Sequence, residues 1–84
     1  MGGALKKVDP VYPSAARDAR QTGVVAVEVT ISEKGDVTSA RALSGPNLLR
    51  NAALTAARGW KFRASTLGGV PVTTTTTIVF NFKL

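Results

Sequence analysis

The chain has no cysteine and no histidine. Without cysteine there is no disulfide to reinforce a small core and no thiolate zinc site. Without histidine the commonest general base and the commonest metal ligand are gone together. Long apolar runs are missing as well. The longest stretch without charge, Ala64 to Phe82, is rich in threonine and glycine, whereas a membrane span needs about 20 predominantly apolar residues. The opening Met1-Gly2-Gly3-Ala4-Leu5-Lys6-Lys7 carries no apolar run suited to a signal peptide. The expectation is a cytoplasmic chain or a piece of a longer one.

Acids are scarce, five against eleven Lys and Arg. Glu33 and Asp36 flank one turn, while Asp9, Asp18 and Glu28 stand apart. That leaves no carboxylate pair and too little clustering for a metal site. The serines have no histidine to activate them, and no Gly-Lys-Ser/Thr phosphate loop exists. The sequence therefore predicts no catalytic residue, no metal and no cofactor: a protein that is not an enzyme.

What is present suits one small folded domain. The 84 residues are 44% hydrophobic, too apolar for a disordered tail and too short for two domains. The net charge of +6 is spread out, with Lys6-Lys7 the only adjacent basic pair. A nucleic-acid reader more often gathers its charge on one element, so the scattered cations read as solvated surface.

Val8 to Pro13 carries two prolines and reads as an extended lead-in, with Pro13 opening a short helix over Ser14 to Gln21 that Gly23 stops. From Gly23 to Ser32 the chain alternates strictly, with Val25, Val27, Val29 and Ile31 on one face. Glu33-Lys34-Gly35-Asp36 is a turn, and Val37 to Leu43 is the return strand. Its apolar positions slip phase, so either a bulge near Thr38-Ser39 or a shallow, half-exposed strand is expected. Asn47 offers a helix cap, after which Leu49, Ala52, Ala53, Ala56 and Trp60 share a helical face. Lys61-Phe62-Arg63 then runs extended, Leu67 to Pro71 turns, and Val72 to Leu84 forms the last strand. Five consecutive threonines, Thr73 to Thr77, favour that strand because each is β-branched.

The predicted fold is α+β. It is a two-layer sandwich of a three-stranded antiparallel sheet, in order two-one-three, with both helices on one face. Val25, Val27, Val29, Ile31, Leu49, Ala53, Trp60, Phe62 and Phe82 are the expected structural core. The last strand lies at an edge, which either accepts another chain or is guarded by Lys83 or the lead-in.

Tyr12-Pro13, Ala16, Arg17, Gly23, the alternating valines, Gly35, Ser44, Leu49, Ala52, Ala53, Trp60-x-Phe62 and Gly69-x-Pro71-Val72 come in an order that resembles the TonB C-terminal domain family. The resemblance covers about Leu5 to Phe82. It implies residues 1–7 as a lead-in or cloning remnant and 8–84 as the domain. It further implies the periplasmic part of an energy transducer anchored in the inner membrane, reaching the motor proteins there through parts outside this chain. Such a domain would bind the TonB box of outer-membrane transporters by β-strand addition. The partner-binding residues would then be Val11, Tyr12, Thr73, Thr74, Thr75, Thr76, Thr77, Ile78, Val79 and Phe80. The exposed edge itself predicts a monomer–dimer equilibrium through the same strand, and the scattered charge predicts no nucleic acid. Two departures stand out: Arg63-Ala64 fill the stretch where many members have a proline after Trp-x-Phe, and Val11 replaces a glutamine before Tyr-Pro. The alternatives are a TolA-like or other structural envelope interaction domain and, behind it, a basic nucleic-acid-binding module.

Overall fold

The computed structural model describes residues 3–84; Met1 and Gly2 lie outside the described residues. Alternation of β-branched residues builds the sheet. β2 (Gly23–Ile31) turns Val25, Val27, Val29 and Ile31 to one face, and all four are buried. Ser32 closes the following turn. Its carbonyl accepts the Gly35 N–H at 2.9 Å, and its hydroxyl accepts the N–H groups of Lys34 and Asp36 at 3.3 and 3.2 Å. Gly35 has φ +90°, and a Cβ there would lie 2.0 Å from the Phe62 carbonyl oxygen, so only glycine admits this close approach.

β3 (Val37–Ser44) returns antiparallel along β2. Thr30 faces Ser39 while Ile31 faces Val37, which leaves Thr38 as the extra residue of a bulge at the expected place. A second shift was not foreseen: Ala26 faces Ser44 and Val27 faces Ala42, so Leu43 is extra too. With both bulges, Val37, Ala40 and Ala42 all pack against the core. None of the strand's residues is fully buried, so the shallow strand and the bulge are both real.

α2 (Asn47–Arg58) buries Leu49, Ala53, Ala56 and Ala57 against the sheet. Ala57 was missed from the face, and Ala52 is only partly buried. Asn47 does not cap the helix but is its first residue. The cap is Pro46, with no side-chain hydrogen bond, and its carbonyl takes the Leu49 N–H at 3.0 Å. Trp60 falls beyond the Gly59 end of the helix.

α1 (Ser14–Asp18) is shorter than the expected Ser14 to Gln21, and Pro13 is its cap. The left-handed stop is Arg20, φ +54°, not Gly23. Gln21 N–H reaches the Ala16 carbonyl at 2.8 Å and Arg20 N–H the Arg17 carbonyl at 3.0 Å, the paired bonds that end a helix through such a residue. Gly23 serves packing instead: a Cβ there would lie 2.9 Å from Pro46 Cγ.

β7 (Thr74–Phe82) lies on the other side of β2 in unbroken register, from Thr74 opposite Ile31 to Phe82 opposite Gly23. The sheet order is β3-β2-β7, the predicted two-one-three. Ala16 of α1 and the α2 alanines join the sheet's inner side chains in one core cluster, so both helices cover the same face. Ile78, Phe80 and Phe82 are buried on that face, whereas Leu84, the expected end of the strand, is 65% exposed beyond it.

Two small strand pairs were not foreseen. The segment ahead of Val8 forms β1 (Ala4–Lys6), which pairs with β4 (Lys61–Phe62). β5 (Ser65–Leu67) and β6 (Val70–Val72) form a hairpin about Gly68-Gly69, whose φ values of +58° and +84° make the turn that suits twisted hairpins. The expected last strand thus breaks at Thr73, and Val72 belongs to β6. The domain is elongated, 49 × 20 × 16 Å.

Candidate functional site

The feature with binding chemistry is the outer edge of β7. Its inner edge is paired with β2 along its whole length, and no strand among the described residues pairs with the other. Alternate main-chain N–H and C=O groups of a strand point to each edge, so an unpaired edge is a template for another strand. Thr75, Thr77, Val79 and Asn81 are exposed, Thr74 and Thr76 half-buried. No charged side chain interrupts the edge before Lys83.

The expected binding residues are not all alike in this setting. Thr74, Thr75, Thr76, Thr77 and Val79 line β7, and Thr73 sits just before it. Ile78 and Phe80 turn their side chains into the core and keep only main-chain groups at the edge. Val11 is 81% exposed. It lies apart, on an apolar groove of about 330 Å³ between the lead-in and α2. Tyr12 is packed against the core. Its ring meets Phe82 edge-on at 5.6 Å, and its hydroxyl donates to the Gln21 carbonyl. Tyr12 therefore touches the far end of β7 through Phe82 and holds the α1 exit to it.

Of the expected core, Val25, Val27, Val29, Ile31, Leu49, Ala53, Phe62 and Phe82 are buried, and Trp60 is partly buried against them. The Trp60 ring stacks on Phe62 at 6.0 Å and meets Phe80 edge-on at 5.8 Å. Its Nε1 donates to the Val8 carbonyl at 3.0 Å, so the ring clasps the lead-in to the sheet.

A second element borders the edge. An open groove of about 550 Å³ lies between Ser65–Leu67 of the hairpin and Val72–Thr75. Sequence reasoning missed this hairpin. The signal was present in Ser65-Thr66-Leu67 and Val70-Pro71-Val72, short β-prone runs either side of Gly-Gly.

Two ion pairs lie off β7. Arg41 pairs with Glu28 at 3.0 Å on the β2–β3 side, and Lys61 pairs with Asp36 at the turn. The Lys61 hydrogen bond, then its charge, holds the Asp36 carboxyl below its usual range. Among the described residues no three His, Cys, Asp or Glu side chains gather as a metal site. No helix among the described residues is long and apolar enough to cross a membrane.

A short antiparallel sheet with β3 and β7 at its edges, backed by two helices on one face, defines a class of small two-layer α+β domains. Residues 8–84 match the family model described as the C-terminal of the Gram-negative bacterial TonB protein, and the chain belongs to that family. It is 36% identical to Protein TonB of Vibrio cholerae over 80 residues, covering 93% of this chain and 33% of that protein. It is 39% identical to Protein TonB of Xanthomonas campestris over 77 residues, covering 89% and 34%. The chain thus spans about a third of the length of these relatives. The solution NMR structure of the Pseudomonas aeruginosa TonB CTD superposes with a TM-score of 0.78 at 27% identity, covering 99% of this chain and 86% of that one.

Proposed function

We propose that this domain is the periplasmic, partner-binding end of a TonB-type energy transducer. It takes the TonB box of an outer-membrane transporter as an added strand on β7. A pull transmitted from the inner membrane, where motor proteins draw on the proton-motive force, then reaches the transporter and admits its nutrient, such as a siderophore. The observation that supports this most is the nine-residue edge of β7, in unbroken register with β2 and without charge. Strand addition draws its affinity from main-chain hydrogen bonds and needs little side-chain chemistry. The same edge would accept that of a second copy, so dimer and peptide compete.

The test is a titration of the ¹⁵N-labelled domain with a synthetic TonB-box peptide. Perturbed amides should concentrate on alternate positions of β7, and affinity should change little with salt. Tight binding of random DNA that collapses with salt would instead favour a basic nucleic-acid module. Peptide effects confined to the groove beside Val11 would remove β7 from the reading.

A further inference from the structure

The edge of β7 poses a problem of position. From Thr73 to Thr77 every side chain is threonine, so a strand that slips by two residues meets the same chemistry. Register is weakly specified where strands are polar and uniform. Main-chain pairing can hold a partner there but cannot place it.

The β5–β6 hairpin supplies what the threonines lack. It is joined to β7 through Thr73 alone. The groove of about 550 Å³ between them is lined by Ser65–Leu67 on one side and Val72–Thr75 on the other, with Leu67 and Val72 its aliphatic residues among hydroxyl side chains. Neighbouring side chains of a strand point to opposite faces, and Thr74 is half-buried while Thr75 is exposed. A groove reached by both runs beside the strand rather than over one face. Ile31 and Thr30 occupy the β2 side opposite Thr74 and Thr75, and neither lines the groove. It therefore borders the start of β7 on a side that β2 does not wall, where an added strand would begin or end. Leu67, 75% exposed, gives it an apolar wall, and no charged residue lines it.

We infer that this groove sets the register of an added strand by receiving one aliphatic side chain of the partner beside Thr74 and Thr75. The inference rests on the strand-addition reading and adds to it the partner's chemistry. That partner is an extended segment with a valine, isoleucine or leucine at one end of its paired stretch. A charged side chain in that position would face Leu67 and Val72 with no counter-charge in the lining.

The experiment uses the ¹⁵N-labelled domain and a synthetic TonB-box peptide carrying a nitroxide at one terminus, with alanine walked along the peptide. Leu67→Ser removes the apolar wall at an exposed position, and Thr66→Trp fills the groove from another. An amide spectrum of each confirms its fold. On the wild-type domain one alanine position should weaken binding about fivefold, the scale of one partly buried aliphatic group, and the nitroxide should broaden a single stretch of β7. In both variants that position should lose its advantage and the broadening should spread over several registers. An unchanged alanine profile and a single unchanged register in both variants would overturn the inference while leaving strand addition in place. A peptide that perturbs no β7 amide would overturn both.

Discussion

β2 and β7 have the same length and the same alternation, and they differ in what surrounds them. β2 is paired on both sides and buries four side chains, Val25, Val27, Val29 and Ile31, spread along its whole length. β7 is paired on one side and buries three, Ile78, Phe80 and Phe82, all in its second half. Its first half, Thr74 to Thr77, buries none. One strand is fixed by the core from end to end. The other puts side chains in the core at one end only, and its outer edge is unpaired along its whole length. Binding by strand addition calls for the second kind of strand, because one paired on both sides has no free ladder to offer.

Proline tests the division most severely. Glu28→Pro removes a donor in the middle of the central strand and should unfold the domain, seen as loss of the cooperative thermal transition by circular dichroism. Thr75→Pro and Thr76→Pro should part company. The one whose N–H points outward should leave a folded domain that neither dimerises nor binds peptide in sedimentation and titration. If both destabilise as Glu28→Pro does, β7 is not an open edge. If both fold and bind, β7 is not the recognition strand.

Next in size are the aromatic anchors. Phe80→Ala should cost about 3–5 kcal/mol, whereas Val79→Ala, one residue along and 63% exposed, should stay within about 0.5 kcal/mol. Urea midpoints on the two variants measure that contrast directly. Trp60→Ala should cost about 3 kcal/mol, the lower end for a large aromatic because the ring is only partly buried. A Trp60→Ala domain that melts normally and fails to bind peptide would move Trp60 from the core to the binding surface.

Smaller effects lie at the two ends of the strands. Tyr12→Phe removes the hydroxyl that donates to the Gln21 carbonyl and should cost about 1 kcal/mol, with peptide affinity unchanged if Tyr12 only supports Phe82. The smallest effect belongs to Asp36. Its pKa is lowered by Lys61, so its contribution is present above the unfolded value, about 3.9, and is lost as pH falls through the lower folded value. The pair is exposed, so the loss should be slight and weaker still in high salt. Comparing urea midpoints of wild type and Asp36→Asn across the acid range checks it.

Much of the frame was legible because period decides it. Val25 to Ile31 and Ile78 to Phe82 alternate, Leu49 to Ala56 repeats helically, and the crossover rule places β7 beside β2. What escaped notice depends on contacts between distant residues. Lys61-Phe62 becomes a strand where Ala4–Lys6 arrives on one side and the Gly35-Asp36 turn on the other, and a run so short has no period to read. The α1 stop fell on Arg20, since local hydrogen bonds can hold a non-glycine residue at positive φ. Asn47 was read as a cap because its side chain could serve, but Pro46 already starts the turn with a fixed φ. The edge strand was legible as the last one in the chain. The groove beside it was not, because its walls are set by a hairpin whose placement no local pattern states.

The uncharged edge also bears on how the protein behaves in concentrated solution. Thr74 to Val79 is a β-prone hexapeptide with no proline, no glycine and no charge, the composition from which stacked fibrillar sheets grow. No lysine or proline within the strand guards it. Colloidal stability then falls to the +6 charge carried elsewhere, a long-range repulsion that shrinks to about 3 Å of reach in molar salt. Low ionic strength favours a clear solution, and salting favours aggregates seeded at β7.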